Sequence, residues 1–251
     1  MKVFKLLMIV LALSSSLSVI AQQSTYVIVH GAWGGAWQFK KTAFQLQEAG
    51  HHVYRPSLTG LGDKHHLAHK DINLSTHIND VVNAIIFEDL KDVILVGHSY
   101  GGMVITGVAD SIPHRIKKLI YLDAIVPHDG ESAFQALSHG KEVSISSITT
   151  ADEHFLIPAW VRDTTKTPRD VPHPIKTMTQ SLLLKNNERL VLPTTYVFTA
   201  EESKGGAEKD DFYPFYLRAK SNNWKIIHLE ASHNPQIDKL DKLIDILLQE
   251  K

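Results

Sequence analysis

Short runs of apolar, β-branched residues recur along the chain and alternate with longer segments of different pattern. The short runs do not alternate strictly with polar residues, which is typical of strands covered on both faces. Six are predicted strands, at Thr25–His30, His52–Arg55, Asp92–Gly97, Lys118–Asp123, Thr194–Thr199 and Trp224–Leu229. Strands that alternate with helices predict an α/β domain with a mostly parallel sheet and helices on both faces.

The segments between the strands carry apolar residues at helical spacing. Two clear examples are Ile78, Val81, Val82, Ile85 and Ile86, and near the C-terminus Ile237, Leu240, Leu243, Ile244, Leu247 and Leu248. Such an apolar stripe is typical of a helix that packs on a sheet. Right-handed crossovers place the loops that follow parallel strands along one edge of the sheet, and we expect the chemistry at that edge.

The alternation of strand and helix stops between Asp123 and Thr194. This stretch carries scattered prolines, several charges and no run typical of a sheet strand. A structureless loop of such length is uncommon inside a compact domain. We therefore predict an inserted, mainly helical cap at about residues 125–193, which lies over the sheet edge and builds the substrate pocket.

The first 21 residues have the pattern of a secretory signal peptide. Lys2 and Lys5 form a basic start, Leu6–Leu13 is apolar, serines follow, and Val19-Ile20-Ala21 fits a cleavage site. An uncleaved membrane anchor is the alternative, but serines interrupt its second half and no later run is long enough to cross a bilayer. We predict residues 1–21 as a signal peptide, residues 22–251 as one domain, and a periplasmic or secreted protein without membrane attachment.

Composition excludes several classes of function. The 251 residues contain 26 Lys and Arg, 27 Asp and Glu, and no cysteine, which excludes disulfide scaffolds, thiolate metal sites and cysteine nucleophiles. Without residues 1–21, which hold two lysines and no acid, 24 basic residues face 27 acidic ones, a net charge of −3 that lacks the basic footprint of a nucleic-acid binder. No cluster of acidic ligands accompanies His65, His66 and His69, so they predict a polar loop and no metal site.

A strand runs directly into a glycine-rich turn in the middle of the chain. Val93–Val96 leads into Gly97-His98-Ser99-Tyr100-Gly101-Gly102, and a helical pattern follows over Met103–Asp110. Strand, sharp turn and helix are the context in which a small-x-nucleophile-x-small motif exposes its central hydroxyl. The flanking glycines leave room for the strained turn above the helix N-terminus. The motif predicts Ser99 as a nucleophile.

A serine hydroxyl needs a base and an oxyanion hole before it becomes an effective nucleophile. His233 is the predicted base, because it follows the last strand and its loop opens on the same edge as Ser99. Two backbone amides are expected to form the oxyanion hole. One is that of Tyr100, and the other is that of Ala32 in the glycine-rich loop after the first strand, with Trp33 as the alternative.

Five motifs together resemble one family. They are Val29-His30-Gly31-Ala32-Trp33, Gly50-His51, Leu58-Thr59-Gly60-Leu61-Gly62, Thr76-His77-Ile78-x-Asp80-Val81 and Gly97-His98-Ser99-Tyr100-Gly101-Gly102-Met103. The chain resembles the α/β-hydrolases grouped around plant methylesterases, hydroxynitrile lyases and bacterial pyrethroid-type esterases, over nearly all of its length after residue 21. The resemblance implies the α/β-hydrolase fold, a Ser-His-acid triad, no cofactor, and carboxylic-ester substrates for most members.

The acid of the triad is less clear from the resemblance. Plant members carry an aspartate after the penultimate strand, where this chain has Glu201 and Glu202. Some α/β-hydrolases, including several haloalkane dehalogenases, carry the acid after an earlier strand, and Asp123 ends such a strand here. A nearly dry aspartate needs a partner, and the imidazolium of His233 meets that need. We predict Asp123 as the acid, with Glu202 and then Glu201 as alternatives.

Residues beside the nucleophile and in the cap are expected to contact the substrate. They are His30, Gly31, Trp33, His98 and Trp160. For the tryptophans, packing in the core is an equally good interpretation.

These residues predict a serine hydrolase that cleaves a small-molecule carboxylic ester through an acyl-enzyme. One alternative is a lyase of the hydroxynitrile type, which resembles this chain in its triad but usually has threonine in place of Gly31 and lysine in place of Asn234. The other is a binding protein that uses the same scaffold without catalysis. The oligomeric state stays open.

Overall fold

The computed structural model describes residues 23–138 and 153–251. The predicted signal peptide at residues 1–21 therefore lies outside the described residues, as does part of the predicted cap. The strands are β1 Thr25–Val29, β2 His52–Tyr54, β3 Val93–Ser99, β4 Ile116–Ala124, β5 Phe155–Leu156, β6 His173–Pro174, β7 Thr194–Ala200 and β8 Lys225–Glu230. The α-helices are α1 Lys40–Glu48, α2 Leu74–Phe87, α3 Gly101–Ser111, α4 Ala133–Ser138, α5 Lys176–Thr179, α6 Tyr213–Ser221, α7 Pro235–Asp238 and α8 Leu240–Gln249.

Six strands form one sheet in the order β2-β1-β3-β4-β7-β8, and all neighbours are parallel. The six predicted strands are confirmed, each to within two residues at either end. The order in which the chain adds strands to the sheet reverses between β1 and β3. β2 is added on one side of β1, whereas β3 and the later strands are added on the other side. A crevice at such a reversal, beyond the carboxyl ends of the strands, is where ligands bind in open α/β sheets.

The sheet separates two hydrophobic cores, because successive side chains of a strand point to opposite faces. Val27, Val29 and Leu95 belong to the core beneath α2, α3 and α6. Tyr26 and Ile28 belong to the other core, beneath α1 and α8. Both faces of the central strands are thus covered, as the unbroken apolar runs predicted.

The two predicted amphipathic helices are present with adjusted boundaries. Asn73 and Thr76 form a reciprocal capping box at the start of α2. The C-terminal pattern is divided between α7 and α8, which Lys239 separates. Two residues of the predicted apolar stripes do not pack in the core: Ile86 is 48% exposed and Ile237 is 67% exposed.

The predicted cap region combines short helices with a small sheet. Its described part contains α4, α5 and single 3-10 turns at Ala159–Arg162 and Asn187–Val191. It also contains β5 and β6, which pair antiparallel over two residues each. These two strands were not predicted, because strands of two residues leave no recognisable apolar run in the sequence.

Residues near the two ends of this cap region, which we call the insertion, lie side by side. The amide of Gly130 donates to the carbonyl of Leu182 at 2.8 Å, and the amide of Leu182 donates to the carbonyl of Glu131 at 2.8 Å.

Within residues 23–138 and 153–251, the structure contains no helix that is both long and apolar enough to span a bilayer.

Glu250 ties the C-terminus to three strands. Its fully buried carboxylate accepts hydrogen bonds from Lys118 of β4 and Thr195 of β7, at 2.8 and 2.6 Å, and from Lys225 of β8. Burial opposes ionisation of the carboxyl, but these hydrogen bonds outweigh it and lower the pKa of Glu250 to about 2. The ionised form therefore stabilises the fold at neutral pH.

We expect Glu250→Gln to lower the free energy of unfolding by about 3 kcal/mol at pH 7, because it leaves two lysines without their anion. The contribution of Glu250 is complete above about pH 5, the region above its pKa in the unfolded chain, and is lost as the pH falls toward its folded pKa. Urea unfolding from pH 7 to pH 2.5 should show the two proteins converging at low pH. The exposed Glu48→Gln is the control, and equal losses in both variants would contradict the assignment.

Candidate active site

The nucleophile turn follows β3 without a break. Ser99 is the last residue of β3 and has a φ of 55°, in the left-handed region that non-glycine residues rarely adopt. The turn packs backbone against backbone: a Cβ at Gly97 would lie 2.8 Å from the carbonyl oxygen of Gly101, and one at Gly101 would lie 2.7 Å from that of Val29. The two glycines are therefore required for the turn to form beside β1.

Ser99 at the end of β3, Asp123 near the end of β4 and His233 in the loop after β8 form one hydrogen-bonded chain. The hydroxyl of Ser99 lies 2.9 Å from Nε2 of His233, and Nδ1 of His233 lies 2.6 Å from Oδ2 of Asp123. A carboxylate accepts only, so Nδ1 carries the proton and Nε2 accepts from the serine. The His233 side chain is 37% exposed and the Asp123 side chain 1% exposed. The structure thus brings together the three residues that the sequence predicted as a triad.

Asp123 is held from its other side as well. Its Oδ1 accepts the backbone N–H of Thr199 at 3.2 Å, and its own backbone has a φ of 42°. Glu202 is exposed, and its backbone N–H donates to Glu230. Glu201 lines a cavity of about 340 Å³ that also borders His233. The single Nδ1–H of His233 already has Asp123 as its acceptor, so this geometry requires neither glutamate.

Two aromatic side chains orient the His233 ring. Phe212 stacks on it with ring centroids 4.5 Å apart, and His98 lies against it at 4.8 Å. His98 Nε2 also donates to the backbone carbonyl of His233 at 2.7 Å. Phe212 was missed by the sequence reasoning, because it belongs to no motif and lies 21 residues before His233.

The oxyanion loop after β1 is oriented by His30. Nδ1 of His30 donates to the carbonyl of Gly31 at 2.8 Å, and Nε2 accepts from the amide of Leu58 at 3.1 Å. The carbonyl and N–H of a trans peptide point in opposite directions, so the Ala32 amide points away from His30. A Cβ at Gly31 would lie 3.4 Å from Oγ of Ser99, which places this peptide against the nucleophile.

The amides of Ala32 and Tyr100 have no acceptor among the described residues. The amide of Trp33 donates to Nδ1 of His173 at 3.2 Å, so the alternative donor Trp33 is wrong. His173 was also missed from the sequence, where it stands between two prolines without a recognisable motif.

Two residues predicted to contact the substrate have a different role. His30 and His98 are buried, and both ring nitrogens of His30 and Nε2 of His98 bond to backbone groups, which argues against direct contact with the substrate. Burial lowers the pKa of His30 to about 4 and that of His98 to about 3, so both are neutral at pH 7. They position the oxyanion loop and the His233 loop instead.

Three residues predicted to contact the substrate remain, namely Gly31, Trp33 and Trp160. Gly31 lies beside Ser99, as described above. Trp33 is part-buried against the core, and its ring meets that of Trp160 edge-on at 5.6 Å. Trp160 is 61% exposed. Beside them, an apolar cavity of about 240 Å³ lies between β5 and the loop after β2, and Phe155, Ile157 and Val171 line it.

The predicted polar histidine loop forms a 3-10 helix at Gly62–Leu67. Ring nitrogens of His65 and His66 lie 3.1 and 3.2 Å from the carbonyls of Gly62 and Asp63. In the parts of the chain that the structure describes, no group of His, Asp or Glu side chains is arranged to hold a metal ion.

A family match covers most of the chain. The sequence model of the alpha/beta hydrolase family matches residues 26–246, so the chain belongs to that family. Among curated proteins, it is 37% identical over 245 residues to a carbendazim hydrolyzing esterase of Nocardioides sp. (strain SG-4G), and the match covers 89% of this chain and 98% of the relative. It is 35% identical to an alpha-hydroxynitrile lyase of Arabidopsis thaliana over 108 residues, 41% of this chain and 40% of the lyase.

Solved structures show the same fold. An extracellular alpha/beta-hydrolase from a Paenibacillus species has a TM-score of 0.73 at 24% identity, and the match covers 90% of this chain and 98% of the other. The pyrethroid hydrolase PytH has a TM-score of 0.72 at 17% identity, with 90% and 96% covered. The predicted α/β-hydrolase fold and family resemblance are thus confirmed.

We expect Asp123→Asn to lower kcat on an ester by about 10⁴-fold, as expected when the base is held in the wrong tautomer. Thr199 N–H needs an acceptor, so the new amide oxygen should face Thr199 and the new NH₂ should face Nδ1 of His233. In that arrangement the His233 ring carries its proton on Nε2. Nε2 then cannot accept the hydroxyl proton of Ser99. Steady-state kinetics check this result.

Glu202→Gln and Glu201→Gln are the matched controls and should stay near the parent activity. A loss in either that equals the loss in Asp123→Asn would show that the acid lies after β7.

Proposed function

We propose that this protein is a serine hydrolase that cleaves a small-molecule carboxylic ester through an acyl-enzyme. The observation that carries the proposal is the hydrogen-bonded chain from Ser99 through His233 to Asp123, beside two backbone amides without acceptors. A nucleophile, a base, an orienting acid and an oxyanion hole are the parts that acyl transfer from an ester requires.

In the first half-reaction, Oγ of Ser99 attacks the ester carbonyl carbon while Nε2 of His233 takes the serine proton. The carbonyl oxygen becomes an oxyanion, which the amides of Ala32 and Tyr100 stabilise. Asp123 stabilises the imidazolium that forms. The carbon–oxygen bond to the alcohol then breaks, and the proton on Nε2 passes to the departing alkoxide, leaving an acyl-Ser99 ester.

In the second half-reaction, a water molecule gives its proton to Nε2 and its oxygen attacks the acyl carbon. The same amides stabilise the second oxyanion. When it collapses, the bond to Oγ breaks, the serine regains the proton from His233, and the carboxylic acid leaves. No step requires a cofactor or a change of oxidation state.

Relatives support an ester substrate. The bacterial relative that is 37% identical is a carbendazim hydrolyzing esterase, and several plant relatives are methylesterases or putative methylesterases. The match to the bacterial relative includes nearly its whole length, so the shared activity class is ester hydrolysis.

A hydroxynitrile lyase is a weaker candidate on both sequence and geometry. The position that usually carries threonine in those enzymes is Gly31, where even a Cβ would lie 3.0 Å from Cβ of Ser99. Asn234 follows His233 in place of lysine. A threonine at position 31 would therefore require Ser99 or the loop after β1 to shift.

We expect turnover of p-nitrophenyl esters by the native protein, and a loss of at least about 10⁴-fold in kcat for Ser99→Ala, since the nucleophile is absent. The control is Ser111→Ala, at an exposed position at the end of α3, the helix that follows Ser99. Its kcat should stay near that of the native protein. Equal turnover by native protein and Ser99→Ala would contradict the proposal.

Two further outcomes decide between the alternatives. Cleavage of mandelonitrile that exceeds turnover of every ester would favour the lyase. Tight ligand binding without turnover of any ester would favour a non-catalytic binding protein.

We also propose export, on the pattern of residues 1–21 alone. Basic, apolar and small-residue stretches in that order are what signal peptidase substrates share. Expression of the full chain in a bacterial host should yield a periplasmic or secreted protein whose N-terminal sequencing starts at Gln22. A chain that keeps Met1 and stays in the cytoplasm or the inner membrane would overturn the proposal.

A further inference from the structure

The insertion holds one residue of the oxyanion loop at three points. The Trp33 amide donates to Nδ1 of His173 at 3.2 Å, its carbonyl accepts the amide of Val171 at 2.9 Å, and its indole N–H donates to the carbonyl of Leu156 at 3.1 Å. His173 and Leu156 belong to β6 and β5, the two-stranded sheet of the insertion. Trp33 is therefore fixed by residues more than 120 positions away in the chain.

Trp33 needs these contacts because its own conformation is unfavourable. Its φ is 61°, which is uncommon for a bulky residue. Trp33 directly follows Ala32, whose amide is a proposed oxyanion donor, and the carbonyl of Ala32 accepts the amide of Gly34 at 2.7 Å. His30 holds the peptide before Ala32, whereas His173 holds the peptide after it. If the second contact is lost, the loop can relax and turn the Ala32 amide away from the oxyanion.

The hydrogen-bond roles of His173 follow from its neighbours. The hydroxyl of Thr177 donates to the carbonyl of Pro174 at 2.7 Å, so its oxygen accepts from Nε2–H of His173 at 2.6 Å. Nδ1 is then free to accept from Trp33. Burial holds the pKa of His173 well below its ordinary value, which keeps the ring neutral and Nδ1 an acceptor.

His173 also contacts the residue that carries the other oxyanion amide. Its ring meets the ring of Tyr100 edge-on, with centroids 5.1 Å apart. One fully buried side chain of the insertion thus touches both Trp33, next to Ala32, and Tyr100, next to Ser99.

We propose that His173 is a positioning residue of the oxyanion hole, and that the hole is competent only while the β5–β6 sheet of the insertion holds Trp33 through it. The proposal rests on the proposed serine-hydrolase function. His173 does not touch the substrate; it acts through the backbone of Trp33.

Three variants of this contact separate a positioning role from a general structural one. His173→Leu removes the acceptor at similar volume, His173→Asn keeps an acceptor oxygen near the place of Nδ1, and Thr177→Val removes the partner of Nε2. Thr179→Val is the control, because Thr179 is exposed on the same short helix.

The readout is the ratio of kcat on an oxygen ester to kcat on the matching thionoester, per active site titrated with a fluorophosphonate. Sulfur is a weak hydrogen-bond acceptor, so the thionoester gains little from the oxyanion hole. We expect His173→Leu to lower kcat on the oxygen ester by about 10²-fold with little change in KM, and kcat on the thionoester far less. His173→Asn should recover most of the loss, and Thr177→Val should lower the ratio by about fivefold.

Equal losses on both esters in His173→Leu, or no recovery in His173→Asn, would overturn the proposal. If His173→Leu does not fold, a folded Thr177→Val with the parent ratio overturns it instead. Failure of the proposed function is distinguished by the parent protein, which would then lack ester turnover or be unaffected by Ser99→Ala.

Discussion

Close packing of backbone against backbone at the turn after β3 is the constraint on which the site depends. The carbonyls of Val29 and Gly101 occupy the space that a Cβ would need at Gly101 and Gly97. Ser99 therefore reaches its left-handed conformation only where β1 and β3 lie side by side. The same approach brings the loop after β1 against the serine, so nucleophile and oxyanion loop are positioned by one packing event.

Neutral buried histidines hold the backbone of the loops around this turn. His30 orients the peptide before Ala32, His173 holds Trp33, and His98 holds the carbonyl of His233. His77 accepts from the Tyr100 hydroxyl at 3.0 Å and donates to the carbonyl of Thr59 at 2.9 Å. Burial lowers the pKa of each ring, so each offers one donor and one acceptor nitrogen. His30 in this way holds two backbone groups, and His77 and His173 each hold one backbone group and one hydroxyl, without introducing a charge into the core.

The carboxylate that bonds to His233 lies after a different strand from the acid of the plant members of the family. Asp123 at the end of β4 reaches Nδ1 of His233 because β4 lies next to β3 on one side and β7 on the other. The amide of Thr199, at the end of β7, supplies a second hydrogen bond to the carboxylate. The strand that carries the acid in plant members of the family thus contributes a backbone donor here.

Sequence alone determined the fold class, all six strands of the main sheet, and Ser99, His233 and Asp123 as neighbours. Parallel strands deliver their following loops to one edge, so residues at strand ends meet even when distant in the chain. Tertiary structure decided what depends on packing between remote segments. His30 and His98 hydrogen-bond to backbone carbonyls, and the Trp33 amide donates to His173. The ring of Phe212 stacks on that of His233. A hydrogen-bond partner is set by which atoms meet in three dimensions, and no local pattern records that choice.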